Sequence, residues 1–165
     1  MAVSSPGATR AFIIRPFRAG DFEQLWHIDQ SCFPPGIAYS QMELNGFIVR
    51  RNAITLVAEF PQHDDTADRR IAGYVIAHPI RRKYGRILTL DILAEARRSG
   101  LATALMNACE LRLREMGCTE VFLETAVDNE AAIRLYRKLG YTILRTLPEY
   151  YSSHSLDAFQ MGKQL

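Results

Sequence analysis

The stretch Ile87-Leu88-Thr89-Leu90-Asp91-Ile92-Leu93, the turn Arg97-Arg98-Ser99-Gly100-Leu101-Ala102, and the apolar helical pattern from Leu101 to Met116 decide how this chain folds. The first run reads as a strand and the last as a helix, so the arginine-glycine segment is the turn between them. A helix start leaves its first backbone N–H groups without intrahelical acceptors and carries the positive end of the helix dipole. An anion at that turn meets ready donors, and the junction is suited to a diphosphate. Gly100 has no Cβ and Ala102 only a methyl, which lets the backbone close on a phosphate. Arg97 and Arg98 add charge and fork-shaped donors.

Working outward, Leu101, Ala104, Leu105, Ala108, Leu111 and Arg112 fall at three- and four-residue steps, and Gly117 closes the helix. Glu120 to Thr125 reads as a strand, so strand, helix and strand form a βαβ unit whose strands run parallel with a right-handed crossover. Asp128-Asn129 caps a further helix carrying Ala132, Ile133, Leu135, Tyr136 and Leu139 down to Gly140. Tyr141 to Leu147 is extended, and Leu156 to Gln164 returns antiparallel around Ser152-Ser153-His154-Ser155.

On the N-terminal side, Ala11 to Phe17 is a strand and Ala19-Gly20-Asp21 a turn and helix cap. Phe22, Leu25, Trp26, Ile28 and Asp29 make a helical stripe through Cys32, which Pro34-Pro35-Gly36 stops; a second helix starts at Ser40. Ala53 to Phe60 and Ile71 to Pro79 form an antiparallel pair joined through the polar Pro61–Asp68, and the basic turn Arg81 to Gly85 leads into the Ile87 strand. The class is mixed α/β: one domain over residues 11–165 with a central mixed, twisted sheet of about seven strands flanked by about four helices, preceded by a loose tail at residues 1–10.

Composition narrows the function classes. At 165 residues, roughly 70% of the unfolded surface can be buried, enough for a core without disulfide staples. A net charge of +2 gives no footprint for nucleic acid or a membrane surface, and Arg50-Arg51 and Arg81-Arg82-Lys83 read as solvated turns. Three cysteines without metal-ligand spacing read as reduced thiols of a cytoplasmic protein, and no apolar stretch reaches the length of a bilayer span. His27, His63, His78 and His154 are scattered, so no metal is expected.

A glycine turn at a helix start also serves FAD, NAD and nucleotides. There is no Gly-Lys-Ser/Thr of a phosphate-binding P-loop and no Gly-x-Gly-x-x-Gly after the first strand, which leaves a mid-chain phosphate site followed by a parallel strand and a short helix. From Leu88 to Tyr141 this resembles the GNAT superfamily of acetyl-CoA-dependent N-acetyltransferases. Arg97-Arg98-Ser99-Gly100-Leu101-Ala102 matches that family's Gln/Arg-x-x-Gly-x-Gly/Ala loop, and the stretch from Asn129 to Tyr141 matches its second cofactor element. Within the superfamily, Cys32-Phe33-Pro34 with Tyr39-Ser40, Leu123-Glu124, and Tyr150-Tyr151 with Asp157-Ala158 and Met161 resemble N-terminal protein acetyltransferases, including those acting on ribosomal-protein alanine. Ser155-Leu156 departs from the usual Gly and acidic residue, and Leu147-Pro148-Glu149 from a common basic one.

The resemblance implies the GNAT fold with a splayed parallel strand pair, and acetyl-CoA as donor. The pantetheine arm is expected along Leu90, Asp91, Ile92 and Leu93, and the diphosphate at Arg97, Arg98, Ser99, Gly100, Leu101, Ala102 and Thr103. Asn129, Ala132 and Tyr136 complete the cofactor set. A carboxylate at Asp91 is costly beside an anion unless strand alternation turns it to the other side. Glu124 is the expected base, acting directly or through water, and Tyr136 the group meeting the departing thiolate; Tyr39, Glu124, Tyr150 and Tyr151 are expected to line the acceptor groove. The expected acceptor is a protein or peptide N-terminus, and the expected protein a monomer or weak homodimer. A small-molecule amine or lysine acetyltransferase, and a non-catalytic acyl-CoA sensor, are the alternatives; a sensor has no need of both Glu124 and Tyr136.

Overall fold

Strands β2 (Ile54–Glu59) and β3 (Ile71–Ile80) are buried along most of their length, because helices cover both of their faces. The computed structural model of the chain describes residues 11–61, 69–81 and 83–165. The expected tail, His63 and nearly all of the Pro61–Asp68 connector fall outside those residues. The two strands sit in a seven-stranded sheet of order β1-β2-β3-β4-β5-β7-β6, completed by β1 (Ile13–Pro16), β4 (Tyr84–Ile92), β5 (Glu120–Ala126), β6 (Thr142–Tyr151) and β7 (Leu156–Gln164). Helices α1 (Phe22–Cys32) and α2 (Gln41–Val49) cover one face, packing Leu25, Ile28 and Leu44 against Val57, Tyr74 and Ile76. Helices α3 (Leu101–Glu115) and α4 (Glu130–Lys138) belong to the second core, where Leu105, Met106, Leu113 and Tyr136 meet Val75, Val121 and Met161.

The expected mixed sheet, helices and terminal hairpin are all present, in the expected order. Local signals set most of the ends. The Ser40 hydroxyl accepts the Glu43 N–H while the Glu43 carboxylate accepts the Ser40 N–H, a capping box that starts α2. Gly117, at φ +89°, ends α3 by letting its own N–H reach the Arg114 carbonyl and that of Cys118 the Leu113 carbonyl. Asn129 caps α4 by accepting the Ala132 N–H.

Three expectations need correction. Asp21 stands at the N-cap of α1 as expected, but its side chain makes no cap hydrogen bond; its carboxylate takes the Arg18 N–H and both terminal guanidinium nitrogens of Arg15. Strand β4 begins at Tyr84 rather than Ile87, since Ile80 already pairs with Tyr84 across a shorter turn. Strand β6 runs on to Tyr151, so Tyr150 and Tyr151 end a strand instead of lying in a loop.

Strands β4 and β5 are parallel neighbours for only three pairs, Tyr84–Glu120, Gly85–Val121 and Arg86–Phe122. Past Arg86 they part, while β5 stays paired with β7 as far as Ala126. A bulge lies at the parting point: Ile76 faces Thr89 and Ala77 faces Ile87, so Leu88 is an extra residue in β4. A bulge bends its strand and resets the alternation. Ile87 packs in the α3 core, and unbroken alternation would put Asp91 there too. Instead Leu90 and Ile92 take that side, and Asp91 turns toward the α1 layer with Thr89.

Candidate active site

The turn before α3 is held in an unusual backbone shape. Arg98 and Gly100 both have left-handed φ, +57° and +83°. A Cβ on Gly100 would meet no atom within 4 Å, so in the free protein its φ, rather than crowding, calls for glycine. The Ser99 hydroxyl donates to the Ala96 carbonyl at 2.6 Å and accepts the Leu101 N–H at 3.4 Å, which braces the turn beneath the N–H groups of Ala102 and Thr103. Arg97 is committed elsewhere: Nε donates to the Ile92 carbonyl at 3.0 Å, and Nη2 lies 3.8 Å from Cys32 Sγ.

Beside this turn runs the β4 edge that β5 has left, carrying Leu90, Asp91, Ile92 and Leu93. The Leu93 N–H is taken by the Ala72 carbonyl, and the Ile92 carbonyl by Arg97 and the Cys32 thiol. Asp91 is 0% exposed, and its side chain lies on the α1 side, away from the α3 turn. The thiol of Cys32 is pushed up by burial and by Asp91.

Glu124 lies on β5 near the parting of the strands, with both oxygens engaged. Arg86 Nε donates to Oε2 at 3.1 Å and Gln160 Nε2 to Oε1 at 3.4 Å; Arg86 also donates from Nη2 to the Tyr150 hydroxyl at 3.0 Å. Arg86 therefore ties the last paired residue of β4 to Glu124 and to the end of β6. Burial, then Glu124, raise the Tyr150 phenol, with Arg86 opposing. Tyr136 is buried on α4 with its ring 5.8 Å from that of Tyr141, and its hydroxyl makes no hydrogen bond among the described residues. Burial pushes its phenol well up, and Asp91 and Tyr151 add to the effect.

The tyrosines expected to line the acceptor groove come from the α1–α2 loop and the end of β6. Tyr39 follows α1 and packs edge-on against Phe47 with centroids 5.0 Å apart. Its carbonyl accepts from Gln30 Nε2 and Trp26 Nε1, and its N–H donates to Asp29 Oδ2 at 2.7 Å. Burial raises the Tyr39 phenol, and Asp91, Tyr150 and Tyr151 all lie close enough to raise it further. Tyr150 and Tyr151 are T-shaped to one another at 5.0 Å, and burial takes the Tyr151 phenol up to about 12. The β6–β7 hairpin then docks on the α1–α2 loop: His154 Nε2 lies 2.8 Å from the Pro35 carbonyl, and the Ser153 hydroxyl donates to the Gly36 carbonyl at 3.1 Å. An open concavity of about 910 Å³ shares Gln160 with this site but extends toward Tyr84 and Glu120, away from the parted strands.

Sequence reading missed Arg86, Asp29, Ser153 and His154. Only Asp29 left a signal, as an acid inside an apolar helical stripe. Among the described residues no group of His, Cys, Asp and Glu is placed to hold a metal ion. None of the described helices is long and apolar enough to cross a membrane, and all three cysteines are free.

Known proteins share this fold. The chain is 28% identical over 172 residues to an N-alpha-acetyltransferase of Sulfurisphaera tokodaii, covering 94% of this chain and 95% of that one. It is 26% identical to an N-alpha-acetyltransferase of Saccharolobus solfataricus over the full length of both. The crystal structure of Ard1 from Thermoplasma volcanium superposes with a TM-score of 0.80 at 29% identity, covering 94% of this chain and 98% of that one. Arabidopsis thaliana NAA60 in complex with acetyl-CoA shares the fold at a TM-score of 0.82 and 22% identity, covering 94% and 100%. The acetyltransferase (GNAT) family model matches residues 22–141, the span holding the parted strands, the α3 turn, Glu124 and Tyr136. The chain belongs to the GNAT acetyltransferase family.

Proposed function

We propose that this protein moves an acetyl group from acetyl-CoA to the α-amino group of a peptide or protein N-terminus by direct attack. The observation that carries the reading is the docking of the β6–β7 hairpin tip on the α1–α2 loop, which gathers Tyr39 and the Tyr150–Tyr151 pair in one place. Aromatic side chains gathered there suit peptide backbone better than a bulky cationic metabolite. Full-length relatives named N-alpha-acetyltransferase support the same acceptor.

The parted edge at Leu90, Asp91, Ile92 and Leu93 receives the pantetheine arm. The turn Arg97, Arg98, Ser99, Gly100, Leu101, Ala102 and Thr103 receives the diphosphate, with Asn129 and Ala132 at the start of α4 beside it. Attack needs a neutral amine. An α-amino group with a pKa near 8 is about one-tenth neutral at pH 7, whereas a lysine near 10.4 is neutral roughly once in 2,500. The departing proton therefore needs little basicity. Glu124 takes it through a water held on the lone pairs that Arg86 and Gln160 leave free. As the amine nitrogen bonds the acetyl carbon and the C–S bond breaks, coenzyme A leaves as a thiolate that the Tyr136 hydroxyl stabilises with a hydrogen bond.

The test is free-thiol release from acetyl-CoA over short peptides that vary in their first two residues, with α-N-blocked lysine peptides as controls. Turnover confined to free N-termini is expected. Tight cofactor binding with no peptide turned over, or turnover of the blocked lysine peptides alone, overturns the proposal.

A further inference from the structure

Asp29 on α1 and Asp91 on β4 are both 0% exposed, and both lie at the seam between the acceptor loop and the cofactor edge. Asp91 Oδ1 accepts the Thr89 hydroxyl. Asp29 Oδ2 accepts the Tyr39 N–H at 2.7 Å and Gln30 Nε2 at 3.1 Å. Oδ1 of Asp29, Oδ2 of Asp91 and the Tyr74 hydroxyl of β3 are out of reach of solvent and without a hydrogen-bond partner among the described residues, and the Tyr74 hydroxyl stands beside the Asp91 carboxyl. The two carboxyls are neighbours in this buried cluster, close enough to act on one another.

Two ionised carboxylates are acceptors only and cannot bond to each other. Two like charges in contact, away from water, do not both persist when a proton is available. The neighbours offer no compensating cation. Glu43 acts on Asp29 from α2; Tyr74 of β3, Tyr39 of the loop, Tyr136 of α4 and the Cys32 thiol of α1 all feel Asp91. The Arg97 guanidinium stops at the Cys32 sulfur, 3.8 Å away, and among the described residues neither carboxyl forms a salt bridge.

We propose that Asp29 and Asp91 are positioning residues that share one proton, forming a clasp between α1 and β4 that holds the acceptor loop at Tyr39 against the cofactor strand. The clasp rests on the acceptor reading given above and deepens it. One O–H···O⁻ bond satisfies both orphaned oxygens and leaves a single charge, which the Thr89 hydroxyl, the Tyr39 N–H and the Gln30 amide already solvate. Burial raises both carboxyls above their ordinary range, as a retained proton requires. Loss of that proton at alkaline pH sets two charges against each other and frees the loop.

The experiment compares wild type with Asp91→Asn and Asp29→Asn, in which an amide N–H replaces the shared proton permanently and the shape is kept. Carbon-13 NMR of the whole protein labelled at aspartate should show a carboxyl pair titrating well above the ordinary range. The Tyr39 amide proton should move with it, and both signals should vanish in either variant. Kinetically, the ratio of acceptor KM, wild type over Asp91→Asn, should rise roughly tenfold between about pH 6.5 and 9, the size of one hydrogen bond to a charged group. This ratio cancels the acceptor amine's own titration, and the ratio of acetyl-CoA KM, wild type over Asp29→Asn, should stay constant over the range. Aspartates that are all ionised below about pH 5, a Tyr39 amide that ignores the pair, or a flat acceptor ratio overturns the clasp. Absence of peptide turnover overturns the acceptor reading instead, and the NMR titration still decides the clasp.

Discussion

Replacing Tyr136 with phenylalanine removes one oxygen from a buried side chain and breaks no hydrogen bond among the described residues. Folding stability should therefore change little, and any kinetic effect reports on the bond made to the reacting group. Burial carries the phenol above its ordinary value, further from the roughly 8.5 of a thiol. Complete proton delivery to the thiolate is then uphill, and the hydroxyl works as a hydrogen-bond donor to growing negative charge. A hydrogen bond to a charged group is worth about 1.5–3 kcal/mol, and each 1.4 kcal/mol is about tenfold in rate. Tyr136→Phe should lower kcat roughly 10- to 150-fold with acetyl-CoA affinity nearly unchanged. The assay pairs initial rates of thiol release with calorimetric titration of coenzyme A. An acyl donor with a more acidic leaving thiol should narrow the gap, since less charge then needs stabilising. An unchanged kcat, or a loss that follows weakened cofactor binding, refutes this role for Tyr136.

Two further perturbations test the frame around the site. Gly100→Ala puts a side chain at φ +83° with no atom within 4 Å of its Cβ, so its cost is conformational, roughly 1–2 kcal/mol. That cost should appear as weaker acetyl-CoA binding by calorimetry, and an unchanged dissociation constant takes this turn out of the phosphate site. Glu110, only 2% exposed, takes Lys163 Nζ at 2.7 Å and the Tyr141 hydroxyl at 2.8 Å. Lys163→Met leaves that carboxylate without its nearest cation and should cost about 3 kcal/mol in urea unfolding; a loss under about 0.5 kcal/mol shows that the pair is not needed for stability.

Much of the fold is legible in the sequence, because the informative signals are local. Ser40, Gly117 and Asn129 act on backbone groups within a few residues of themselves, and the α3 turn and its flanking strand and helix adjoin one another in the chain. Glu124, Tyr136 and the acceptor tyrosines could be named only through family resemblance, since no spacing within the chain distinguishes them from packing residues. Arg86 could not be found at all. Its partner Glu124 lies 38 residues away, and an arginine after a basic turn reads as a solvated charge.

Periodicity and caps, set by hydrogen bonds of short reach along the chain, determined the strands, the helices and the turn at Gly100. Tertiary structure alone decided which faces those elements present to one another. The bulge at Leu88 parts β4 from β5 and swings Asp91 across to Asp29, because one extra residue in a ladder exchanges the two sides of a strand. Contacts spanning more than a hundred residues, from Ser153 and His154 to Gly36 and Pro35, join the β6–β7 hairpin to the α1–α2 loop. No local pattern encodes such pairings, because the two loops meet only after the whole sheet has brought them together.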